Sequence, residues 1–262
     1  MNIDLANRRA VVCGSSQGIG RAIAIELAKL GASITLMARN PERLESVVMD
    51  MDREQGQKHG MIVADFSEPA QVKMAIDQFV GSGNSADILI NNTGGPPAGP
   101  AIDAKNNEFI AAFESHLVCN HILVQSLTPK MKANRFGRII NVISTSVKQP
   151  IQGLGVSNTI RGAVASWAKT LAAELGPFGI TVNNILPGMT RTIRLDSIIR
   201  GRAEKSGRTI DEVTREMESE IPLRRIADAS EIAAAAAFLA TPAASYINGI
   251  NLPVDGGRTG CL

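Results

Sequence analysis

The sequence contains only one tyrosine, one tryptophan and three cysteines in 262 residues. The cysteines (Cys13, Cys119 and Cys261) are odd in number and lack metal-ligand spacing, so we expect neither a disulfide framework nor a bound metal. No apolar run approaches the ~20 residues that cross a bilayer, and the N-terminus has no apolar signal core. We therefore expect a cytoplasmic protein without a membrane span.

The sequence also lacks an excess of charge of either sign. Its 27 basic and 25 acidic side chains give a formal net charge of +2, and neither terminus carries a charged run. This balance argues against nucleic acid or a membrane surface as the partner and favours a small molecule. With 44% hydrophobic residues, the chain can bury one sizeable core, so we expect a single domain over residues 1–262.

Short β-branched runs alternate with longer amphipathic stretches, which predicts an α/β Rossmann fold with a doubly wound parallel sheet of about seven strands. The predicted strands are Ala10–Cys13, Ser33–Met37, Met61–Ala64, Ile88–Asn91, Arg138–Val142, Thr181–Leu186 and Ile250–Val254. The predicted helices are Ile19–Leu30, Pro41–Gln55, Pro69–Phe79, Asn106–Ala133, Gly153–Leu175 and Ala229–Leu239. The charged segment 188–220 breaks the alternation, and we interpret it as a mobile substrate lid over the ligand crevice.

Three glycines follow the first predicted strand, in the order Gly14, Gly18 and Gly20, and a helix comes next. The first would permit a tight turn, the second would let the backbone approach a pyrophosphate, and the third would let helix and strand pack closely. The free N–H groups of the helix would then point at the phosphate. A glycine-rich turn without a ligand is the alternative, and the flanking strand and helix argue against it.

The spacing G-x-x-x-G-x-G resembles that of the short-chain dehydrogenase/reductase family. The resemblance extends in order along the chain to Asp65, Asn91–Gly94, Asn141–Ser144, Pro187–Gly188 and Val254–Gly257. It implies a nicotinamide cofactor, with Asp65 contacting adenine and with Asn91 and Gly94 lining a ribose. The full implied cofactor set is Gly14, Ser16, Gln17, Gly18, Ile19, Gly20, Arg39, Asn40, Asp65, Phe66, Asn91, Thr93, Gly94, Arg161, Pro187, Gly188, Thr190 and Thr192.

Cofactor choice depends on the end of the second strand, where Ala38 and Arg39 stand in place of an acidic residue. A carboxylate there would hydrogen-bond the ribose hydroxyls and repel a 2′-phosphate. Arg39 can pair with that phosphate, and no carboxylate lies beside it in the sequence. We therefore expect NADP(H) to be preferred over NAD(H), the alternative being that Arg39 is simply a solvated arginine.

The family's catalytic tetrad is Asn-Ser-Tyr-Lys, and of these only the serine is present, as Ser144. Ser157 stands where the tyrosine belongs, Arg161 where the lysine belongs and His116 where the asparagine belongs, and the single tyrosine is the distant Tyr246. Without the Tyr-x-x-x-Lys motif, the chain resembles a divergent branch grouped with 3-oxoacyl-acyl-carrier-protein reductases.

Each replacement has limited chemistry. Arg161 can still bind the ribose and stabilise an alkoxide, whereas Ser157 lacks the acidity of a phenol. His116 ordinarily titrates near neutral pH, so it is the candidate proton donor, although a histidine on a helix can equally be structural. Lys148 is a remote second candidate. The proton source therefore stays open.

Two functions are compatible with these residues. The first is an NADPH-dependent reductase of a carbonyl or alcohol substrate, for example a 3-oxoacyl thioester carried on acyl-carrier protein or CoA. The second is a non-catalytic NADP(H)-binding sensor or partner subunit. The resemblance also implies a homotetramer, and the alanines of the predicted helix Gly153–Leu175 would allow close packing between subunits or, equally, within one subunit.

Overall fold

Seven short apolar segments form parallel strands in the computed structural model, which describes residues 1–261 of the chain. The strands are β1 (Arg9–Cys13), β2 (Ser33–Ala38), β3 (Gly60–Val63), β4 (Ile88–Asn91), β5 (Gly137–Val142), β6 (Ile180–Pro187) and β7 (Asn251–Val254). They pair in the order β3-β2-β1-β4-β5-β6-β7. The predicted doubly wound parallel sheet is therefore confirmed, and each strand begins and ends within one residue of its expected position.

Helices cover both faces of this sheet. Their bounds are α1 (Gly18–Lys29), α2 (Pro41–Met49), α3 (Pro69–Gly81), α4 (Asn106–Phe113), α5 (Cys119–Asn134), α6 (Gly155–Leu175), α7 (Ile193–Ser206), α8 (Ile210–Ser219) and α9 (Ala229–Ala240). One face is packed by α1 and α9, through side chains such as Leu27 and Ile232, and the other by α3, α5 and α6, through Ile76 and Leu123. Burial on both faces explains why the strands are almost continuously apolar.

Two predicted helices differ from the structure. Helix α2 ends at Met49 rather than Gln55, because Arg53 donates to the carbonyls of Val48 and Met51 and so closes the chain into a turn. The predicted helix Asn106–Ala133 is interrupted by a π-helical turn at Glu114–Val118, which separates α4 from α5. Such single π turns often lie at functional positions.

The segment 188–220 is largely helical and has a small core of its own. Helices α7 and α8 pack on each other through a buried apolar cluster that consists of Leu195, Ile199, Ala203, Val213, Met217 and Ile226. The expectation of a lid at 188–220 stays a prediction, since nothing in the fold tests whether these helices move.

Three of the five alanines of α6 pack within the subunit, whereas Ala163 is half-buried and Ala173 is exposed. Ala165, Ala168 and Ala172 are buried against the strands and neighbouring helices, which removes them as support for a subunit interface. No helix within residues 1–261 is both long and apolar enough to cross a bilayer.

Candidate active site

In the turn between β1 and α1, backbone atoms lie so close to one another that side chains are excluded. Gly14 has a φ of +58°, and a Cβ added to it would lie 2.4 Å from the carbonyl oxygen of Asn92. A Cβ on Gly20 would lie 2.3 Å from the Gly14 carbonyl oxygen. The Asn92 amide also donates to the carbonyls of Cys13 and Gly14, at 3.3 and 3.2 Å. These positions therefore admit only glycine, and Asn92 is an anchor that the sequence reasoning did not single out.

The N-terminus of α1 is suited to a phosphate. Its N-cap residue, Gln17, makes no side-chain capping hydrogen bond, and the first turn contains no acidic residue. The first N–H groups of α1 thus have no side-chain partner, and the helix dipole favours an anion there. Ser16 and Ile19 lie half-buried in the same turn, and their cofactor contacts stay a prediction.

A second arginine reaches this turn from α2. Arg43 Nη1 donates to Gln17 Oε1 at 2.9 Å, which places the guanidinium beside the glycine-rich turn. Asn40 accepts from the Arg43 backbone N–H at 2.7 Å and so caps α2. The side chain of Asn40, expected to bind the cofactor, is therefore occupied in capping, and Arg43 is the missed cation. Its position in the first turn after Arg39 was the available signal.

Arg39 is exposed, but it is not without a carboxylate. Its side chain is 79% exposed, and Nη1 lies 3.9 Å from Asp65 Oδ2. Hydrogen bonds from the Ser67 backbone N–H and hydroxyl hold the pKa of Asp65 below its usual range, despite an opposing effect of burial. The absence of a carboxylate near Arg39 in the sequence thus did not predict its surroundings in space. Phe66, next in the chain, packs half-buried against the core beneath β2 and β4.

A ladder of asparagine amides crosses the sheet and includes one expected cofactor residue. Asn91 donates to Asn141, Asn141 to Asn184, and Asn184 to Asn251, each at 2.8 Å. The side chain of Asn91 is 2% exposed and is committed to this ladder. The register of β4 and β5 turns the Asn91 amide nitrogen toward Asn141, while its Oδ1 has no partner among the described residues, and the expectation that Asn91 lines a ribose stays a prediction.

His116 is placed inward by the π-helical turn. It is 2% exposed, and Nδ1 lies 2.5 Å from the hydroxyl of Thr93. Burial, followed by the charges of Arg161 and Arg194, lowers the pKa of His116 to about 2. The expectation that His116 titrates near neutral pH was wrong, because two guanidiniums and a dry environment both penalise the imidazolium. Its neutral ring can exchange hydrogen bonds with Thr93, beside Gly94.

Ser144 and Arg161 both lie at the carboxyl end of β5. Ser144 is half-buried, and its hydroxyl accepts from the Ser146 backbone N–H at 3.1 Å. Arg161 is 8% exposed and donates through Nη1 to the Val142 carbonyl at 3.0 Å, while its Nε has no partner among the described residues. Burial lowers the pKa of Arg161 to about 10, so the group stays cationic at neutral pH. Ser157, one turn earlier on α6, is also buried.

The segment after β6 reaches the glycine-rich turn through Thr192. Thr192 caps α7 by accepting from the Leu195 N–H, and its methyl group would be 3.4 Å from a Cβ on Gly18. Thr190 is buried and donates to the Gly188 carbonyl, just after Pro187 ends β6. Thr192 is thus brought to the glycine-rich turn, whereas Pro187, Gly188 and Thr190 lie at the carboxyl end of β6, and their role in cofactor binding stays a prediction.

Arg194 joins α7 to the proline-rich loop after β4. Its guanidinium donates to the carbonyls of Gly95 and Pro96, at 2.6 and 3.0 Å. Sequence reasoning missed this contact, since nothing in the local pattern pairs residues about a hundred positions apart.

Residues 1–261 hold no group of three or more His, Cys, Asp or Glu side chains arranged to bind a metal ion.

Comparison with known proteins gives matches over almost the whole chain. A family model described as Enoyl-(Acyl carrier protein) reductase matches residues 14–259. NADPH-dependent reductase BacG of Bacillus subtilis is 31% identical over 254 residues, which are 97% of this chain and 98% of that protein. The 3-oxoacyl-(acyl-carrier-protein) reductase FabG of Staphylococcus epidermidis is 31% identical over 96% of this chain and 98% of its own length.

Solved structures agree in fold. The L-sorbose reductase from Gluconobacter frateurii, complexed with NADPH and L-sorbose, superposes with a TM-score of 0.93 at 30% identity and covers all of both chains. The similarity therefore includes the turn after β1, the strand ends and the α7–α8 segment together.

Proposed function

Because this chain belongs to the short-chain dehydrogenase/reductase superfamily of oxidoreductases, we propose that it uses NADPH to reduce a ketone to a secondary alcohol. The observation that carries the proposal is the glycine turn at the open N-terminus of α1. A Cβ would fill the space at Gly14 and Gly20, and no side chain caps the helix where a pyrophosphate would bind. The residues present therefore fit a dinucleotide.

The choice of NADPH is supported by two cations and by the relatives. Arg39 and Arg43 lie at the end of β2 and the start of α2, where the 2′-phosphate of a bound NADPH would be met. Related reductases are described as NADPH-dependent or as complexed with NADPH. Since Asp65 offsets part of the Arg39 charge, Arg43 contributes the less opposed cation.

NADPH, when bound, supplies the hydride. On the protein side, the Ser144 hydroxyl would donate a hydrogen bond to the substrate oxygen and orient the carbonyl. Arg161 would stabilise the negative charge that develops on that oxygen, since its guanidinium is held at the end of β5 and stays cationic at neutral pH. The neutral His116 would hold Thr93 in place. Because Ser157, Arg161 and His116 do not release a proton readily near pH 7, we assign the proton to water.

The substrate class proposed from the relatives is a ketone that includes 3-oxoacyl thioesters on acyl-carrier protein or CoA, in line with the FabG match. Multiple-turnover NADPH oxidation against ketones and 3-oxoacyl thioesters tests the function. Turnover of at least one ketone, with stoichiometric alcohol product, is expected. NADPH binding without turnover on any of them would contradict the proposal.

Two further proposals concern the setting of the protein. We keep the homotetramer, which rests on the family resemblance, since three of the five alanines of α6 are buried within the subunit. Light scattering at micromolar concentration should give four times the 27.7 kDa chain mass, and a monomer would contradict it. We also keep the cytoplasm as the location, consistent with the unpaired Cys13, Cys119 and Cys261; cell fractionation tests it.

A further inference from the structure

A second pocket lies beyond Ser144, between the loop after β5, the α7–α8 helices and the C-terminal segment. Its volume is about 380 Å³, and most of its walls are polar. The side chains used below are Thr145, Gln149, Gln152, Arg202, Glu220 and Arg258. The volume is near the lower end of the range for ligand pockets, which is about 300–1,000 Å³. It suits a small ligand.

The pocket carries a net positive charge. Arg258 contacts Glu220 Oε2 through Nη2 at 2.6 Å and through Nε at 3.2 Å, so these two charges cancel. The guanidinium of Arg202, on α7, makes no hydrogen bond or ion pair with the residues that the structure describes, although the Arg202 carbonyl accepts from the Ser206 hydroxyl. The charge of Arg202 is therefore available to a ligand, beside the amide groups of Gln149 and Gln152.

One wall of the pocket is adjacent in sequence to the proposed reaction site. Thr145 directly follows Ser144, which the proposed function places on the substrate oxygen. The Gly260 N–H donates to Gln149 Oε1 at 3.4 Å, which ties the C-terminal segment to the loop after β5. Both sides of the pocket lie at the carboxyl ends of strands, where doubly wound sheets bind their ligands.

We propose that this pocket binds the carboxylate of the substrate, with Arg202 as its charge partner, and that the substrate is a small oxo acid. The proposal rests on the proposed function and narrows it. A guanidinium pairs well with a carboxylate, and glutamine amides and threonine hydroxyls can bind further polar groups of the same molecule. A long alkyl chain fits poorly, because it would remove water from these polar groups without offering them hydrogen bonds.

Kinetics with matched substrate pairs test the assignment. Oxo acids of four to seven carbons, such as 4-oxopentanoate, are compared with their methyl esters, which keep the ketone and lose the charge. The unaltered enzyme should show a KM at least about tenfold lower for the preferred acid than for its ester. Arg202→Gln should raise KM for the acid about tenfold, leave kcat and the ester nearly unchanged, and Arg202→Lys should restore most of the preference.

Arg200→Gln is the matched control. Arg200 is exposed on the same helix, two residues away, and does not line this pocket. Residues two apart on a helix point in different directions, so this change should alter neither acid nor ester. An equal effect of both substitutions, or equal KM values for acids and esters throughout, would overturn the proposal while leaving the reductase function standing.

Calorimetry with the NADP⁺-loaded protein separates the two claims. The same acids and succinate are titrated into the unaltered protein and into Arg202→Gln, with the esters as reference. If an acid binds more tightly than its ester, and Arg202→Gln weakens binding of the acid about tenfold, the pocket assignment is supported. That result would stand even if no ketone were reduced, and only the proposed function would then fail. No acid binding more tightly than its ester rejects the pocket.

Discussion

The cofactor side and the reaction side of this molecule are built in different ways. The turn after β1 depends on backbone contacts: Gly14 and Gly20 are fixed by the carbonyl oxygens that lie against them. The reaction side depends on side chains, namely Ser144, His116 and Arg161, of which none titrates near pH 7. Backbone geometry restricts a position to one residue type, whereas a side-chain role can pass to another group with similar charge or hydrogen bonding.

The largest effect is expected at the backbone. Gly14→Ala places a Cβ 2.4 Å from the Asn92 carbonyl oxygen at a φ of +58°, and positive φ alone costs a non-glycine residue about 1–3 kcal/mol. We expect NADPH binding to fall below what a fluorescence titration can measure. The Tm of the protein should also fall. Gly60→Ala is the control, because no atom lies within 4 Å of its added Cβ. A Gly14→Ala protein that binds NADPH normally would contradict the backbone argument.

The next effect concerns the fixed charge. Arg161→Ala removes the buried donor and should lower kcat about 10²- to 10³-fold, the range measured for loss of one transition-state donor. NADPH affinity should also fall, because the resemblance places Arg161 on the ribose. Arg161→Lys keeps the charge and should recover part of kcat in steady-state assays. Equal activity in the alanine and lysine variants would show that charge is not the property used.

The His116 result extends the comparison to stability. The pKa of His116 is lowered from 6.5 to about 2, so folding favours the neutral ring. The contribution of the neutral His116 ring to the free energy of unfolding is fully present above pH 6.5. It is lost as the pH falls below 6.5, at about 1.4 kcal/mol for each pH unit.

Urea unfolding between pH 7.5 and 4.5 measures this slope. His116→Gln should reduce the slope, whereas His121→Gln serves as a control on α5. The pH profile of activity between pH 6 and 9 should be the same in the unaltered protein and in His116→Gln. A lost inflection in that range would restore His116 as the acid.

The smallest effect is expected at the exposed cations. Arg39→Asp should abolish or reverse the preference for NADPH over NADH, and Arg43→Gln should lower it about tenfold, since hydrogen bonds to charged groups contribute about 1.5–3 kcal/mol. Calorimetry with both cofactors gives the ratio. Equal affinities of the unaltered protein for NADPH and NADH would remove the basis of the assignment.

The sequence predicted the strand ends closely because each strand is a short apolar run bounded by Gly, Pro, Asn or Asp. It predicted the glycine turn for the same local reason. It did not predict the π turn at Glu114–Val118, since an inserted residue leaves the helical composition unchanged.

Contacts between distant residues were also beyond the sequence pattern. The pairing of Arg39 with Asp65, the Arg194 contact with the loop after β4, and the burial that keeps His116 neutral all arise from tertiary packing. Asn91 shows the same limit: its motif was recognised, but the direction of its side chain followed from strand register.

The asparagine ladder helps to specify the register of the strands that it connects. Its amides all donate in one direction, from β4 toward β7. Apolar strands buried on both faces specify register weakly, because a shift by two residues keeps every apolar side chain on its original face. The same shift would separate Asn141 from both neighbours and leave buried amides unpaired, at about 1–3 kcal/mol each. A misaligned sheet would therefore lose several kcal/mol of folding free energy in one step. The correct register of β4, β5 and β6 should thus form cooperatively.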